Sequence, residues 1–100
     1  MPRREALLLP KLFRIGRYTI FFWSNENDEP IHVHIVDGNP GPNATKIWIT
    51  QSAGCVVANN NSRIPQHDLN ELLDIIPMNF FYVCDAWKKH FNIENIKFYC

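Results

Sequence analysis

The chain has 100 residues, the length of one small domain, and 46% of them are hydrophobic. This composition can form a packed core and excludes an intrinsically disordered chain, while a formal net charge of zero argues against a protein that coats nucleic acid by overall charge. The three cysteines are an odd number that fits a reducing cytosol better than secretion, and no apolar run approaches the ~20 residues of a membrane-spanning helix. We therefore predict a cytoplasmic protein with no membrane partner.

The N-terminal residues 1–12 predict an irregular arm, and residues 13–100 predict a single α+β domain. The arm contains a short apolar patch at Leu7–Leu9. Residues 1–17 are locally basic, so a neutral chain can still present a basic surface there. The charged residues of this stretch are Arg3, Arg4, Lys11, Arg14 and Arg17 against Glu5.

Four segments rich in β-branched and aromatic residues predict the strands, at residues 17–23, 31–36, 45–50 and 55–58. Runs rich in Asn, Gly, Pro and Asp separate most of these segments and indicate loops. A polar loop at residues 59–63 marks the end of the β half.

A helical pattern begins at Pro65, where apolar residues start to recur at steps of three and four and continue to Phe91. Pro77 interrupts this stripe without changing its phase, which predicts one helix kinked there or two nearly collinear pieces. The predicted fold is an antiparallel four-stranded sheet with a long, Pro-kinked C-terminal helix packed on one face.

Two histidines, His32 and His34, lie one residue apart in the second predicted strand. Because side chains alternate along a strand, both imidazoles point away from the face of Ile31, Val33 and Ile35. The apolar face is the natural partner of the helix. The two imidazoles therefore lie side by side on the opposite face of the sheet.

The histidine-bearing face also receives Lys46 and Trp48 from the third predicted strand. The first strand adds aromatic or aliphatic side chains in either register. The alternatives are Phe21 with Trp23, or Tyr18 and Ile20 with Phe22. Such a surface is larger than a soluble monomer normally exposes. It predicts a cover: the Leu7–Leu9 patch, a second copy of the chain in a homodimer, or a different protein.

Three interpretations of the histidine pair are open. The pair could bind a metal with a third ligand from His67, His90 or an acidic loop residue. One histidine could be the general acid or base of a small metal-independent ribonuclease, with Lys46, Arg14 or Arg17 holding a phosphate. The pair could also be hydrogen-bonded and packed at an interface, with no chemistry. No other metal-ligand spacing is present, so we predict no metal or cofactor.

Several short motifs occur together in this chain: Phe13-Arg14-Ile15-Gly16, then Tyr18, Ile20-Phe21-Phe22-Trp23-Ser24-Asn25, Glu29-Pro30-x-His32-Val33-His34, Ala44-x-Lys46-Ile47-Trp48, and a C-terminal helix with Trp87 and Phe91. Together they resemble the small bacterial family catalogued as domain of unknown function 4160. The resemblance implies a stand-alone cytosolic domain encoded beside a partner from another uncharacterised family. Such pairs look like type II toxin–antitoxin modules, and the resemblance implies that this chain is the toxin.

His32, His34, Lys46, Trp48 and Arg14 match the family motif. We predict a toxin-like component neutralised by a cognate antitoxin-like protein. If it is an enzyme, its substrate is RNA, with His32 and His34 as catalytic acid and base and Trp48 stacking on a base. Phosphate or nucleic-acid contacts fall to Arg14, Arg17 and Lys46.

The alternative function is a non-enzymatic binding module. It would be an antitoxin, or a regulator that binds RNA or DNA through the basic residues of the first 17 positions.

Overall fold

The computed structural model describes residues 11–26 and 28–100. Arg3, Arg4 and the Leu7–Leu9 patch lie outside the described residues. The described chain forms an α+β fold in which an antiparallel sheet precedes a C-terminal helical region, as predicted. The strands cross the sheet in sequence order and are β1 (Lys11–Ile15), β2 (Tyr18–Phe21), β3 (His32–Asp37), β4 (Thr45–Ile49) and β5 (Cys55–Asn59).

The sheet has five strands, so the prediction of four was wrong. The additional strand is β1, which pairs with β2 through a two-residue turn at Gly16 and Arg17. Gly16 has φ +59°, a left-handed conformation that glycine adopts at little cost and that tight hairpin turns favour. β1 continues to Lys11, so residues 11 and 12 of the predicted arm belong to the sheet.

One face of the sheet and the helical region share a continuous apolar core. The helical region consists of α1 (Gln66–Ile75), a 3-10 turn (Ile76–Asn79) and α2 (Phe80–Phe91). Its buried side chains pack on alternate residues of β2, β3 and β4. These core residues are Ile20, Val33, Ile35, Ile47 and Ile49 in the strands, and Leu69, Leu72, Ile76, Val83 and Trp87 in the helical region. The predicted apolar face of the sheet is confirmed.

Pro77 divides the predicted helix. A proline has no N–H to donate and its ring clashes with the preceding turn, so the α-helical hydrogen bonding stops and a 3-10 turn joins α1 to α2. α2 ends at Asn92, whose φ of 55° and ψ of 51° form a left-handed cap. No helix in the described part of the chain is long and apolar enough to cross a membrane.

The C-terminal segment, residues 92–100, crosses the end of the sheet without forming a strand. The N–H of Ile31 donates to the carbonyl of Lys97 over 2.9 Å, and the N–H of Gln51 donates to the carbonyl of Cys100 over 2.9 Å. Tyr99 stacks on Trp48 with 4.9 Å between ring centroids and 6° between ring planes. The segment therefore covers part of the face that bears the histidines.

Candidate functional site

The two histidines of β3 point to the same side of the strand, away from Val33 and Ile35, as predicted. The ring of His32 also meets that of Trp87 of α2 edge to face, with 5.3 Å between centroids. The strand register places Phe21, His34 and Lys46 in one cross-strand row. His32 is paired with Trp48 in the neighbouring row. The imidazole rings lie 5.0 Å apart between centroids and meet edge to face. This part of the sheet thus carries two histidines, a lysine and aromatic rings within contact of one another.

The β2–β3 loop covers the histidines, a cover that was not among the three expected from the sequence. His32 and Phe21 have no exposed surface, and His34 is 7% exposed. Two loop residues contact the pair: Trp23 packs against the ring of His34, and Glu26 reaches both imidazoles. The chain itself therefore buries the aromatic centre of this face.

The Glu26 carboxylate joins the two imidazoles. Its Oε1 lies 2.9 Å from Nε2 of His32 and 3.1 Å from Nε2 of His34, and its Oε2 lies 3.1 Å from the same His34 nitrogen. The backbone N–H of Trp23 also donates to Oε1 over 3.1 Å. We call Glu26, His32 and His34 the His–Glu cluster.

The surroundings of Glu26 favour its ionised form. Burial by itself raises the pKa of a carboxyl group, because desolvation disfavours the charge. Hydrogen bonds from His32 and His34, together with the charges of these two groups, outweigh desolvation and hold the pKa of Glu26 well below its usual range. The carboxylate therefore acts as an acceptor at every one of its contacts.

The hydrogen bonds of His32 fix the arrangement of its protons. Its Nδ1 lies 2.8 Å from the carbonyl oxygen of Pro30, and a carbonyl can only accept, so Nδ1 carries a proton. Nε2 then faces an ionised carboxylate at 2.9 Å. That contact is attractive only if Nε2 carries a second proton, which makes an imidazolium, or if a cation takes the place of that proton.

His34 is held on one side of its ring only. Its Nε2 is close to both oxygens of Glu26, whereas its Nδ1 is buried and has no hydrogen-bond partner among the described residues. The ring lies against Phe21, with centroids 5.4 Å apart. His34 is therefore oriented by Glu26 and by aromatic packing, and no described residue fixes the proton on Nδ1.

Lys46 and Trp48 lie beside the cluster. The Lys46 ammonium forms an ion pair with Glu29 and sits 4.4 Å from the centre of the Trp48 ring. The ring of Tyr99 stacks on the same Trp48 ring. The β2–β3 loop thus supplies a carboxylate to the histidines and a second carboxylate to the lysine.

The two arginines predicted for the site are placed elsewhere. Arg14 is exposed and is paired with Thr19 of β2. It lies on the histidine-bearing face, but it is two strands and two residues away from His34, a distance of roughly 12 Å. Arg17 lies in the β1–β2 turn, where its Nε donates to Asp37 over 2.7 Å. The structure therefore brings together His32, His34, Lys46 and Trp48, but neither Arg14 nor Arg17.

Arg17 lines a separate cavity of about 210 Å³ between the β1–β2 turn and α1. The hydroxyl of Tyr18 donates to Asp68 over 2.6 Å at this cavity. The other residues that line the cavity are Ile15, Gly16, Glu71 and Leu72.

Glu26 is the site residue that the sequence analysis did not identify. The sequence signal was present: an acidic loop immediately precedes the strand of the two histidines, and a short loop that leads into a strand can fold back over its first residues. Which of Glu26, Asp28 and Glu29 reaches the imidazoles depends on loop geometry, which residue spacing does not determine.

Residues 18–88 match the model of a family described as Domain of unknown function (DUF4160). The chain belongs to this family. The matched region of this DUF4160 domain includes the His–Glu cluster, Lys46 and Trp48, whereas Arg14, Arg17 and the C-terminal segment lie outside it. No curated protein and no solved structure is significantly similar to the chain.

The role of Glu26 can be separated from that of Glu29 in the same loop. We expect Glu26→Ala to lower the free energy of unfolding by about 1–3 kcal/mol, because it leaves buried imidazole donors without an acceptor. Glu29 is 41% exposed in its side chain, so Glu29→Ala should cost less than ~1 kcal/mol. Urea denaturation of both variants measures the difference, and equal losses would show that the cluster does not stabilise the loop.

The cavity beside Arg17 predicts an alkaline transition. Burial, the hydrogen bond to Asp68 and the charge of Asp68 raise the pKa of Tyr18 from 10.0 to about 12. Because folding favours the neutral phenol, the stability it contributes is present below pH 10 and is lost as the pH rises from 10 through 12. The difference in phenolate absorbance between wild type and Tyr18→Phe should have its midpoint near pH 12, and a midpoint near 10 would contradict the burial of this hydroxyl.

Proposed function

We propose that this DUF4160 domain is the toxin-like component of a bacterial type II toxin–antitoxin module that acts on RNA in the cytoplasm. The observation that supports the proposal is the His–Glu cluster: two imidazoles of one strand are oriented by one carboxylate, with Lys46 and Trp48 in the adjoining strand. A base, an acid, a cation and a stacking ring are the groups that metal-independent RNA cleavage uses.

The proposed step is an internal transfer of the RNA phosphodiester. His34 takes the proton from a 2′-hydroxyl, and the 2′-oxygen attacks the adjacent phosphorus. The bond from phosphorus to the 5′-oxygen breaks, and His32 as an imidazolium gives its proton to that oxygen. The products are a 2′,3′-cyclic phosphate and a 5′-hydroxyl. His32 suits the role of acid because its Nδ1–H donates to the carbonyl of Pro30. The second proton of the imidazolium is then on Nε2, the atom that faces Glu26.

RNA has to displace the β2–β3 loop to reach these groups. Glu26 and Glu29 now occupy the positions next to the imidazoles and Lys46 that a phosphate group would take. A phosphate can replace either carboxylate because both are oxygen anions that accept hydrogen bonds. The loop is therefore proposed to act as a cover that opens when RNA binds.

The proposed antitoxin-like partner has an apolar surface available near the start of α2. Met78 is 80% exposed, Phe81 is 83% exposed and Tyr82 is 53% exposed. Large apolar side chains that cluster on a surface are typical of protein interaction sites.

The burial of the cluster favours one alternative, a non-enzymatic binding module. His32 has no exposed surface, and both imidazoles are already hydrogen-bonded within the chain. In this alternative the cluster only holds the loop, and the chain serves as an antitoxin or as a nucleic-acid-binding regulator that uses exposed residues such as Arg14.

The test combines induced expression in bacteria with cleavage of single-stranded RNA by the purified protein in the presence of a chelator. The variant is His34→Gln, and the matched control is His67→Gln, because the side chain of His67 is 82% exposed on α1. We expect growth arrest and a cyclic phosphate product with wild type. Both should fall by at least ~10²-fold in His34→Gln and remain unchanged in His67→Gln.

The alternative makes the opposite prediction. RNA or DNA binding without cleavage, equal in wild type and His34→Gln and falling steeply with salt, would support a binding module. A wild-type protein that neither arrests growth nor cleaves RNA would contradict the proposed toxin.

A further inference from the structure

We propose that the His–Glu cluster is a binding site for a divalent transition-metal ion, for which Zn²⁺ is the probe. The ligand atoms of Glu26, His32 and His34 all lie within 4.8 Å of one another. Two imidazole nitrogens and one carboxylate oxygen form a ligand set that Zn²⁺ and related ions accept, with an open position for water or another ligand.

The distances between the ligand atoms are close to those of a loaded site. Zn–N and Zn–O bonds near 2.0–2.2 Å place tetrahedral ligand atoms roughly 3.4 Å apart. The carboxylate oxygens of Glu26 lie 2.9 Å from Nε2 of His32 and 3.1 Å from Nε2 of His34. The carboxylate–imidazole separations are therefore within a few tenths of an ångström of the coordinated value, and the two imidazole ligand atoms lie within 4.8 Å of each other.

The groups behind the ligands have the orientation that metal-binding residues need. The Nδ1–H of His32 donates to the Pro30 carbonyl, which directs the Nε2 lone pair at Glu26. The backbone N–H of Trp23 holds Oε1 of Glu26 in place. At His34, Nε2 is turned to Glu26 and the buried Nδ1 has no hydrogen-bond partner among the described residues, so His34 lacks the outer hydrogen bond that His32 has.

A bound cation also compensates for the negative charge of the buried Glu26 carboxylate. An ionised carboxylate faces the Nε2 atoms of both imidazoles in a buried position, and attraction there needs a proton or a metal ion on each nitrogen. One divalent ion satisfies all three ligands at once. Metal binding and acid–base catalysis use the same Nε2 atoms, so they exclude one another at this site.

The described residues contain one other group of this kind, formed by His67, Asp68 and Glu71 on α1. His67 and Glu71 are exposed, and Asp68 already accepts the hydroxyl of Tyr18. This group lacks the burial and the supporting hydrogen bonds of the His–Glu cluster, which makes it the natural negative control.

The experiment is a titration of the chelator-stripped full chain with Zn²⁺ by calorimetry, and with Co²⁺ by absorption. Cys100 is exposed and could bind either ion, so all proteins carry Cys100→Ser. We expect one equivalent of metal to bind, a Co²⁺ spectrum without thiolate bands, and a rise in Tm with Zn²⁺. Glu26→Gln preserves the size of the side chain, and we expect it to weaken binding by at least ~10²-fold.

The control His67→Ala should change the affinity by less than ~2-fold. His34→Ala should abolish binding, and if it fails to fold, Glu26→Gln alone carries the test, with its fold checked by circular dichroism. The proposal is overturned if the folded wild type binds no stoichiometric metal, or if His67→Ala weakens binding as much as Glu26→Gln does. Metal binding is measured without RNA and RNA cleavage is measured with a chelator, so the failure of one proposal can be told from the failure of the other.

Discussion

One carboxylate determines how the histidine-bearing face of this DUF4160 domain is organised. Burying an ionised Glu26 is unfavourable unless several donors compensate for the lost water. Here two imidazoles and the backbone N–H of Trp23 do so, and they hold its pKa well below the usual range despite the opposing effect of burial. The β2–β3 loop therefore folds back over β3, and the loop in turn buries His32 and His34.

The same arrangement explains why the sheet can be aromatic on its second face without exposing it. The loop covers the row of Phe21 and His34, and the C-terminal segment stacks Tyr99 on Trp48. Among the described residues, the large apolar side chains with the greatest exposure are Met78 and Phe81 in the helical region. Val56 of β5 and Tyr99 remain partly exposed beside Trp48.

Much of the fold could be predicted from residue spacing, because burial imposes periods of two on strands and three to four on helices. Ile47, Ile49 and Leu72 lie in the core as their spacing predicted. β1 was missed because its pairing depends on the Gly16 turn, a local feature weaker than the strand pattern that follows it. At the site, alternation along β3 correctly placed His32 and His34 on one face. Their burial could not be predicted, since it depends on the path of a loop, and Glu26 is brought to them by that path.

The measurement that tests this account most directly is a long-range proton–nitrogen NMR correlation of the imidazole rings in the metal-free protein. The account predicts a proton on Nδ1 of His32, because only a donor can lie 2.8 Å from the Pro30 carbonyl in a stable contact. It also predicts that Glu26→Gln changes the nitrogen shifts of both His32 and His34 and leaves those of the exposed His67 unchanged. A His32 ring protonated on Nε2 alone, or imidazole shifts insensitive to Glu26, would contradict the central role of this carboxylate.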